Sequence, residues 1–560
     1  MNTDQRRRQL SCVFAAQAML LLVAAWRNLH QLNPDAIAYL RIAGYYAGGQ
    51  QELAVTGYWG PLLSWLAVPL LKTGVAPLIA ARVVMAVSGV VFLVGAVTVF
   101  RTFRLPPVAM LVGAWIAAAW SVFWSVRNIT PDLLMAGLVA LAVSATMNLF
   151  LSHTRRGGEA EISDGGKLTP AATAGAWWGL AYLAKAVALP LAGLTCAGLA
   201  VAALSGRMEL RRELALRLAL VWLGTALVAG PWIAVLSLHY GKFTFSTTGP
   251  IAHALAGPGE SAGRHPAMAT LHQPDAGRVT QWEEPTRMAY QYWSPLVSGE
   301  NFQQQLMVAV ANCGEIIAWL LPWMNWVDGT GIHPWRRWLG TFDWLGFSAI
   351  AVLLAGWCGM KNWQRLRGRR WCWALVPVVL LGGLYLPFFV MAEDNRYFYP
   401  ALPFLWVLAA GGWGWMSRRL CRASAAGVRS PGFRVVNLSF AVPPLIWLAA
   451  ALSGIPNQAS RSAHELAAQL KVASPVGPIS GSGLLPGGRT GLYTAFLLVE
   501  RWLGDDPQAG PAEFAAAGAR VVVTRRGTDQ AAALAKDRRW RLMAPENVST
   551  SLQVFIRDNP

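Results

Sequence analysis

Apolar runs of membrane-spanning length recur from one end of this chain to the other, and they decide what it can fold into. A helix needs about 20 predominantly apolar residues to cross the hydrocarbon core of a bilayer. The first such run is Leu10 to Trp26, directly after Arg6-Arg7-Arg8. Others lie near 77–100, 107–125, 132–151, 216–238, 342–360, 372–391, 398–416 and 435–453. Charged residues make up 13% of the chain, about half the usual share of a globular domain. The 28 Trp residues suit helix ends at a membrane–water boundary. A disordered or fibrous chain is excluded, and 6 Cys in 560 residues are too sparse for a disulfide scaffold.

The first run is followed by Asn33-Pro34-Asp35 rather than a small-residue cleavage site, so it reads as an anchor and not a signal peptide. The stretch Ala171 to Leu204 carries Lys185 near its middle. A single helix of that length would measure about 50 Å, too long for one crossing without extreme tilt. Two short helices with Lys185 at their turn fit better, which brings the expectation to about 11 crossings.

The distribution of basic residues orients this layout. With a cytoplasmic N-terminus, the inner connections carry Arg6, Arg7, Arg8, Arg101, Arg104, Arg155, Arg156 and Lys167, then clusters at 207–217, 361–370 and 418–434. The short outer connections carry only Arg41, Lys72, Arg127, Lys185 and Arg396. This is the positive-inside asymmetry. It also accounts for the net charge of +19 as attraction to an anionic leaflet, so nucleic acid is not an expected partner. The expected fold is an α-helical polytopic membrane protein with a transmembrane domain over 1–453. An outer loop at 28–76 carries surface helices, and a longer one spans 240–341, with an interfacial or re-entrant helix near 301–321.

The C-terminal segment 454–560 reads differently. Pro478-Ile479-Ser480, Arg520-Val521-Val522-Val523-Thr524 and Leu552-Gln553-Val554-Phe555-Ile556 have strand character, and helical stretches near 490–500, 511–518 and 528–536 separate them. A small extracytoplasmic α/β domain is expected. Cys12, Cys196, Cys358, Cys372 and Cys421 fall in or beside helices or cytoplasm and only Cys313 lies outside, so no disulfide and no zinc site is expected.

Acidic residues are scarce at the outer helix ends, and two stand out. Asp35 lies just past the first helix, where Ile37, Leu40, Tyr45 and Tyr46 recur with helical spacing, which predicts a short helix along the membrane surface. Asp132 follows Asn128-Ile129-Thr130-Pro131 at the start of the fourth apolar run. Each also reads as a plain helix cap. The cations on this face are Arg82, one turn inside the second run, Lys185 at the hairpin tip and Arg396 in a short outer loop. Each alone also reads as an interface anchor. An unpaired Arg at membrane depth is costly, so Arg82 is expected to meet a carboxylate or a phosphate. Together the five describe a polar site at the outer membrane surface.

These landmarks, in this order, resemble the GT-C superfamily of integral-membrane glycosyltransferases. The likeness is to the bacterial branch of lipid A aminoarabinose transferases, galacturonosyltransferases and protein O-mannosyltransferases. Asp35 holds the place of that family's acidic residue after the first helix, with Tyr39 as the aromatic that follows. Gly57-Tyr58-Trp59-Gly60-Pro61-Leu62 matches the segment before the second helix, and Ala81-Arg82 the Ala-Arg pair within it. Asp132 takes the second acidic position. Gly179-Leu180-Ala181-Tyr182-Leu183-Ala184-Lys185-Ala186 resembles the family's Thr-Lys-Gly turn, and Arg396-Tyr397-Phe398-Tyr399-Pro400-Ala401-Leu402-Pro403 its Arg-Tyr loop. There are departures. Trp59-Gly60-Pro61-Leu62 stands where the aminoarabinose transferases have Lys-Pro-Pro-Leu, and the turn reads Ala184-Lys185-Ala186.

The resemblance implies a sugar donor carried on polyprenyl phosphate and an acceptor hydroxyl on a glycan, glycolipid or protein, on the outer face of a bacterial cytoplasmic (inner) membrane with the C-terminus periplasmic. A lipid phosphate is already a weak base, so the reaction needs no general acid. It needs a carboxylate to take the acceptor's proton and fixed positive charge at the departing phosphate. Asp35 is assigned as base and Asp132 as the group orienting the acceptor or Arg82. Lys185, Arg396 and Tyr397 are assigned to the phosphate, with Arg82, Tyr39 and Tyr58 also placed against substrate. Direct displacement inverts the anomeric carbon. This logic requires no cofactor and no divalent metal. Glu283, Glu284, Tyr290 and Trp293 of the long loop either contact sugar or pack the loop.

Two other functions make different demands on the sequence. A lipid-linked glycan transporter or flippase would favour midplane polar residues and repeated halves, neither of which the sequence has. An oligosaccharide polymerase or ligase would leave Asp35 and Asp132 without a paired role.

Overall fold

A computed structural model of the chain describes residues 3–153, 169–203, 208–258, 265–320, 370–387, 395–411, 442–455, 457–472, 476–482, 489–543 and 551–557. The apolar run at 342–360, Cys358, Cys421 and the inner basic clusters at 154–168, 361–369 and 412–441 lie outside these residues.

The apolar periodicities fold as helices. In chain order these are α1 (Thr3–Arg27), α2 (Pro34–Ala47), α3 (Gln51–Ala54), α4 (Pro61–Lys72), α5 (Pro77–Thr102), α6 (Pro107–Arg127), α7 (Asp132–His153), α8 (Thr169–Ala184), α9 (Ala188–Ala203) and α10 (Met208–Tyr240). Proline opens α2, α4, α5 and α6, a position where its missing N–H costs nothing. Among the described residues five helices are long and apolar enough to cross a membrane: Asp4–Arg27, Pro77–Thr102, Pro107–Arg127, Asp132–Phe150 and Arg212–Tyr240. The hairpin expected at Lys185 is present, with α8 ending at Ala184 and α9 beginning at Ala188.

Within the bundle α5 packs on α6 and α7, α7 on α8, and α8 on α10. Small residues allow this, since bilayer helices gain from close backbone approach more than from burying apolar area. A Cβ at Gly137 of α7 would lie 2.7 Å from the Phe92 backbone nitrogen of α5. The same device sets the hairpin against the start of α4. A Cβ at Gly60, just before α4, would lie 2.3 Å from the Ala184 carbonyl oxygen.

The long segment after α10 contains α11 (Thr248–Ala254), α12 (Pro266–Ala269) and α13 (Gly299–Leu320). After it come α14 (Leu375–Tyr385), a 3-10 turn at Asn395–Ala401, the helical residues 402–411 as α15, and α16 (Val442–Ser453). The C-terminal unit adds α17 (Gln458–Val472), α18 (Thr490–Leu498), α19 (Pro511–Ala516) and α20 (Asp529–Lys536). Its strands are β1 (Ile479–Ser482), β2 (Trp502–Asp505), β3 (Val521–Arg525), β4 (Trp540–Leu542) and β5 (Leu552–Arg557). They form one sheet in the order β2-β1-β3-β5-β4. β1 is parallel to β2 and β3, while β5 runs antiparallel to β3 and β4. The α/β character anticipated from three strands thus extends to five. The helix α17, beyond the three helical stretches expected there, connects this unit to the membrane helices.

That connection bears on the site. Asn28 Oδ1 accepts from Ile455 N at 2.8 Å, Asn457 Nδ2 donates to Leu32 O at 3.1 Å, and Leu32 N donates to Ser460 Oγ at 3.0 Å. The turn between α1 and α2 is therefore gripped from the C-terminal side, and α18 packs on α2. The long loop after α10 joins from another direction, with Trp502 N donating to Val279 O and His272 N to Leu503 O along the β2 edge.

Candidate active site

The segment Asn33-Pro34-Asp35 places its carboxylate by being fastened to the segment before α7. Asn33 does not cap its own helix. Its Oδ1 instead accepts from Ile129 N at 2.8 Å, and its Nδ2 points back to Ile129 O at 3.5 Å. The two acid-bearing segments are thereby laid side by side, each entering its helix after a proline. The buried face of α2, which includes Ile37, Tyr39, Leu40 and Ile42, fixes the rotation of that helix. The Tyr39 carbonyl accepts from Ser64 Oγ of α4 at 2.9 Å.

Four charged groups then form one chain. Asp35 Oδ2 accepts from Arg396 Nη1 at 2.5 Å, and Arg396 Nε lies 3.9 Å from Asp132 Oδ2. Asp132 Oδ1 accepts from Lys185 Nζ at 2.5 Å. The Asp35 side chain is 13% exposed and that of Asp132 2%, so neither carboxylate faces bulk solvent. Tyr397 completes the group. Its ring centroid is 4.2 Å from Lys185 Nζ and 5.6 Å from Arg396 Cζ, geometry that stabilises a partly desolvated cation. Tyr385 of α14 supports it with ring centroids 5.4 Å apart. Four residues singled out from sequence as separate landmarks, from four parts of the chain, thus meet.

Tyr39 and Tyr58 are buried close enough to Asp35 to feel its charge. Burial first, then the Asp35 carboxylate, holds both phenols protonated well beyond their ordinary range. Tyr39 packs edge-on against Trp59, 5.1 Å between centroids, and Trp59 against Tyr58 and Trp282. Trp59 stands where the aminoarabinose transferases have lysine, and its indole Nε1 donates to Trp282 O at 2.9 Å. Position 59 therefore contributes an aromatic wall instead of a charge.

Arg82 departs from expectation. It is buried as anticipated, but its partners are backbone carbonyls: Nη2 donates to Gln31 O at 2.6 Å and Nη1 to Val126 O at 3.1 Å. Among the described residues it makes no ion pair with Asp132, which is taken by Lys185. The last carbonyls of α6 are without intrahelical partners, and a guanidinium satisfies them. Arg82 thereby ties the end of α6 to the turn that precedes Asp35. No sequence pattern signals such carbonyl partners.

The loop residues resolve toward packing. Glu283 is fully buried, accepts from Tyr45 Oη of α2 at 2.5 Å and from the backbone N–H of Val279 and Thr280. Burial raises its carboxyl above the usual range, against the pull of Arg41. Glu284 accepts from Tyr240 Oη at 3.2 Å. Trp293 stacks on His253, 4.4 Å between centroids, and donates to the His253 carbonyl at 2.7 Å. Tyr290 Oη donates to Pro285 O at 2.8 Å. Among the described residues no cluster of His, Cys, Asp and Glu has the geometry of a metal site.

No protein-family model matches the sequence, and no curated protein matches it. Solved structures do. The chain is similar to ArnT from Cupriavidus metallidurans, solved bound to undecaprenyl phosphate, with TM-score 0.54 and 16% identity over 97% of both chains. It is also similar to the oligosaccharyltransferase AglB from Archaeoglobus fulgidus, solved with an inhibitory peptide and a dolichol-phosphate. There the TM-score is 0.52 at 12% identity, over 94% of this chain and 70% of that one. By this likeness over nearly the whole chain, the protein has the fold of the GT-C membrane glycosyltransferases.

Proposed function

We propose that the protein is a membrane glycosyltransferase that moves a sugar from a polyprenyl-phosphate donor to an acceptor hydroxyl. The carrying observation is the linked series Asp35–Arg396–Asp132–Lys185. It sets a carboxylate beside two cations in a crevice where water is scarce and charge–charge terms are strong. ArnT and AglB were solved with polyprenyl or dolichyl phosphates, which supports the same donor class here. The site then lies at the outer face of a bacterial inner membrane, with the N-terminus cytoplasmic.

The residues divide the chemistry between them. The acceptor oxygen attacks the anomeric carbon, its proton passes to the Asp35 carboxylate, and the bond to the phosphate oxygen breaks with the electron pair leaving on the lipid phosphate. Lys185 and Arg396 hold that charge as it accumulates, and the anomeric configuration inverts. In the resting arrangement one Asp35 oxygen is occupied by Arg396. A donor phosphate competes for that guanidinium, so donor binding frees the base only when the leaving group is in place. Asp132 keeps Lys185 and Arg396 aimed at the phosphate, and Tyr397 covers both.

The test is the full chain reconstituted with undecaprenyl-phosphate-linked sugars and an envelope glycolipid extract, read by mass spectrometry of the products. Asp35→Asn is expected to lower turnover by about 10²–10⁴-fold while leaving expression and thermal unfolding intact. Turnover within a few-fold of the parent protein would remove Asp35 from the mechanism.

A further inference from the structure

The helix α13 carries its amphipathic pattern the wrong way round for a surface that meets water. Phe302, Leu306, Met307 and Val310 recur along one face and are each more than half exposed. Leu296 and Val297, in the turn leading into the helix, are more exposed still. From Phe302 to Gly314 the exposed face holds no charged residue. The opposite face is rich in amides and turned to the protein. Asn301 Nδ2 donates to Ser294 O at 2.9 Å, and Gln304 Nε2 to Ala256 O at 2.9 Å. Gln305 Nε2 donates to Pro387 O at 2.6 Å, and Asn312 Nδ2 to Leu386 O at 2.8 Å. A helix beside water buries its apolar stripe and exposes its amides. In α13 the reverse holds, and a bare apolar patch of this kind marks a contact surface.

The hydrogen bonds fix the height of the helix. Leu386 and Pro387 lie just past the end of α14, a short apolar helix, where helix carbonyls lack partners of their own. Tyr385, the last residue of α14, packs on Tyr397, whose ring faces Lys185 and Arg396. α13 is therefore fastened where the apolar helices end beside the charged site. α14 has an exposed apolar stripe of its own, Leu375, Val379 and Gly383, which runs up to the carbonyls that α13 holds. Among the described residues α13 is not one of the five helices long and apolar enough to span a membrane. An uncharged apolar face that continues such a stripe at a bilayer boundary suits acyl chains. Carbonyls taken by side-chain amides and not left to water suit the same dry setting.

We propose that α13 rests on the lipid leaflet at the site's end of the bundle, with acyl chains covering the Phe302–Leu306–Val310 face while the amide face clasps the end of α14. Beyond the interfacial placement expected near 301–321, one face is thereby assigned to lipid and the other to a load. The clasp keeps Tyr385 seated against Tyr397, beside the two cations of the site.

The probe is a nitroxide on the full chain in nanodiscs of phosphatidylethanolamine and phosphatidylglycerol. It is attached through Leu306→Cys or Val310→Cys after the native cysteines are changed to Ala. Power saturation compares oxygen, which partitions into acyl chains, with a water-soluble nickel chelate. Oxygen is expected to dominate at both positions, and the chelate at Arg525→Cys on the exposed end of β3. Dominance of the chelate at 306 and 310 puts the face in water and overturns the proposal. Shielding from both reagents puts protein there, a second copy or another partner, and overturns it equally. The clasp has its own readout. Hydrogen exchange over 395–401 is expected to quicken about tenfold in Gln305→Ala/Asn312→Ala, and unchanged exchange overturns the clasp. The nitroxide result stands even if that double variant fails to fold. Neither readout involves glycosyl transfer, so neither outcome touches the role of Asp35.

Discussion

Arg396 donates from Nη1 to Asp35 at 2.5 Å while its Nε lies 3.9 Å from Asp132. One guanidinium thus spans both acids, a task that needs a planar fork and not a point charge. Arg396→Lys reaches one acid at a time. The expected result is a KM for the lipid-linked sugar raised about tenfold, equivalent to about 1.4 kcal/mol, with a smaller fall in kcat. Steady-state kinetics on reconstituted protein decide it, and an unchanged KM would place the donor phosphate elsewhere.

The Lys185–Asp132 pair separates stability from catalysis. Lys185→Met leaves a carboxylate whose side chain is 2% exposed with only the longer Arg396 contact. Removing one partner of a buried pair costs about 3–5 kcal/mol. Lys185 is itself 22% exposed, so the loss belongs at or below the lower end. Adding Asp132→Leu is expected to restore the unfolding temperature and leave transfer absent. Recovery of transfer in the double variant would show that neither charge acts on substrate.

Arg82 supplies a contrast. Arg82→Lys gives up at least one of the carbonyl bonds to Gln31 and Val126, each worth about 1.5–3 kcal/mol for a charged donor. Thermal unfolding is expected to shift downward while the donor KM stays within about twofold. A large rise in donor KM with unchanged stability would return Arg82 to the substrate-binding set.

Acid should loosen the long loop after α10 through His265. Its folded value is about 3 against 6.5 ordinarily, so between those values the unfolded chain binds a proton that the folded chain refuses. Stability from this group is complete above pH 6.5 and falls as pH drops toward 3, by a few kcal/mol in all at 1.36 kcal/mol per unit. Glu283, raised by burial, acts in the opposite sense, its contribution declining as pH rises through its folded value. Unfolding of the parent and His265→Asn across this range isolates the histidine. Parallel pH profiles would mean that the imidazole is hydrated in the folded chain.

How much was legible in the sequence follows from where each interaction lies. Asp35, Asp132, Lys185 and Arg396 stood out because a charge beside apolar helices is rare enough to be noticed singly. The hairpin at Lys185 followed from helix length alone. β1, β3 and β5 were visible as β-branched or apolar runs. β2 and β4, with only Trp502–Asp505 and Trp540–Leu542, are too short to leave a period. α17 is amphipathic, with Ala463, Leu466, Ala467 and Leu470 on one buried face, but carries no long apolar run. The partners of Arg82 are carbonyls, and every residue has one, so composition carries no trace of them. The ring contacts of Tyr58 were equally hidden, since Trp282 and His265 meet it across more than two hundred residues of chain.

The contact between Gly60 and the Ala184 carbonyl has a corollary for engineering. Lys185 hangs from that carbonyl's own peptide, so the space left by one absent methyl group sets how deeply the ammonium sits. Grafting a bulkier residue at 60, including the proline that the aminoarabinose enzymes carry there, would wedge the hairpin outward and retune the anion pocket without altering a single charge.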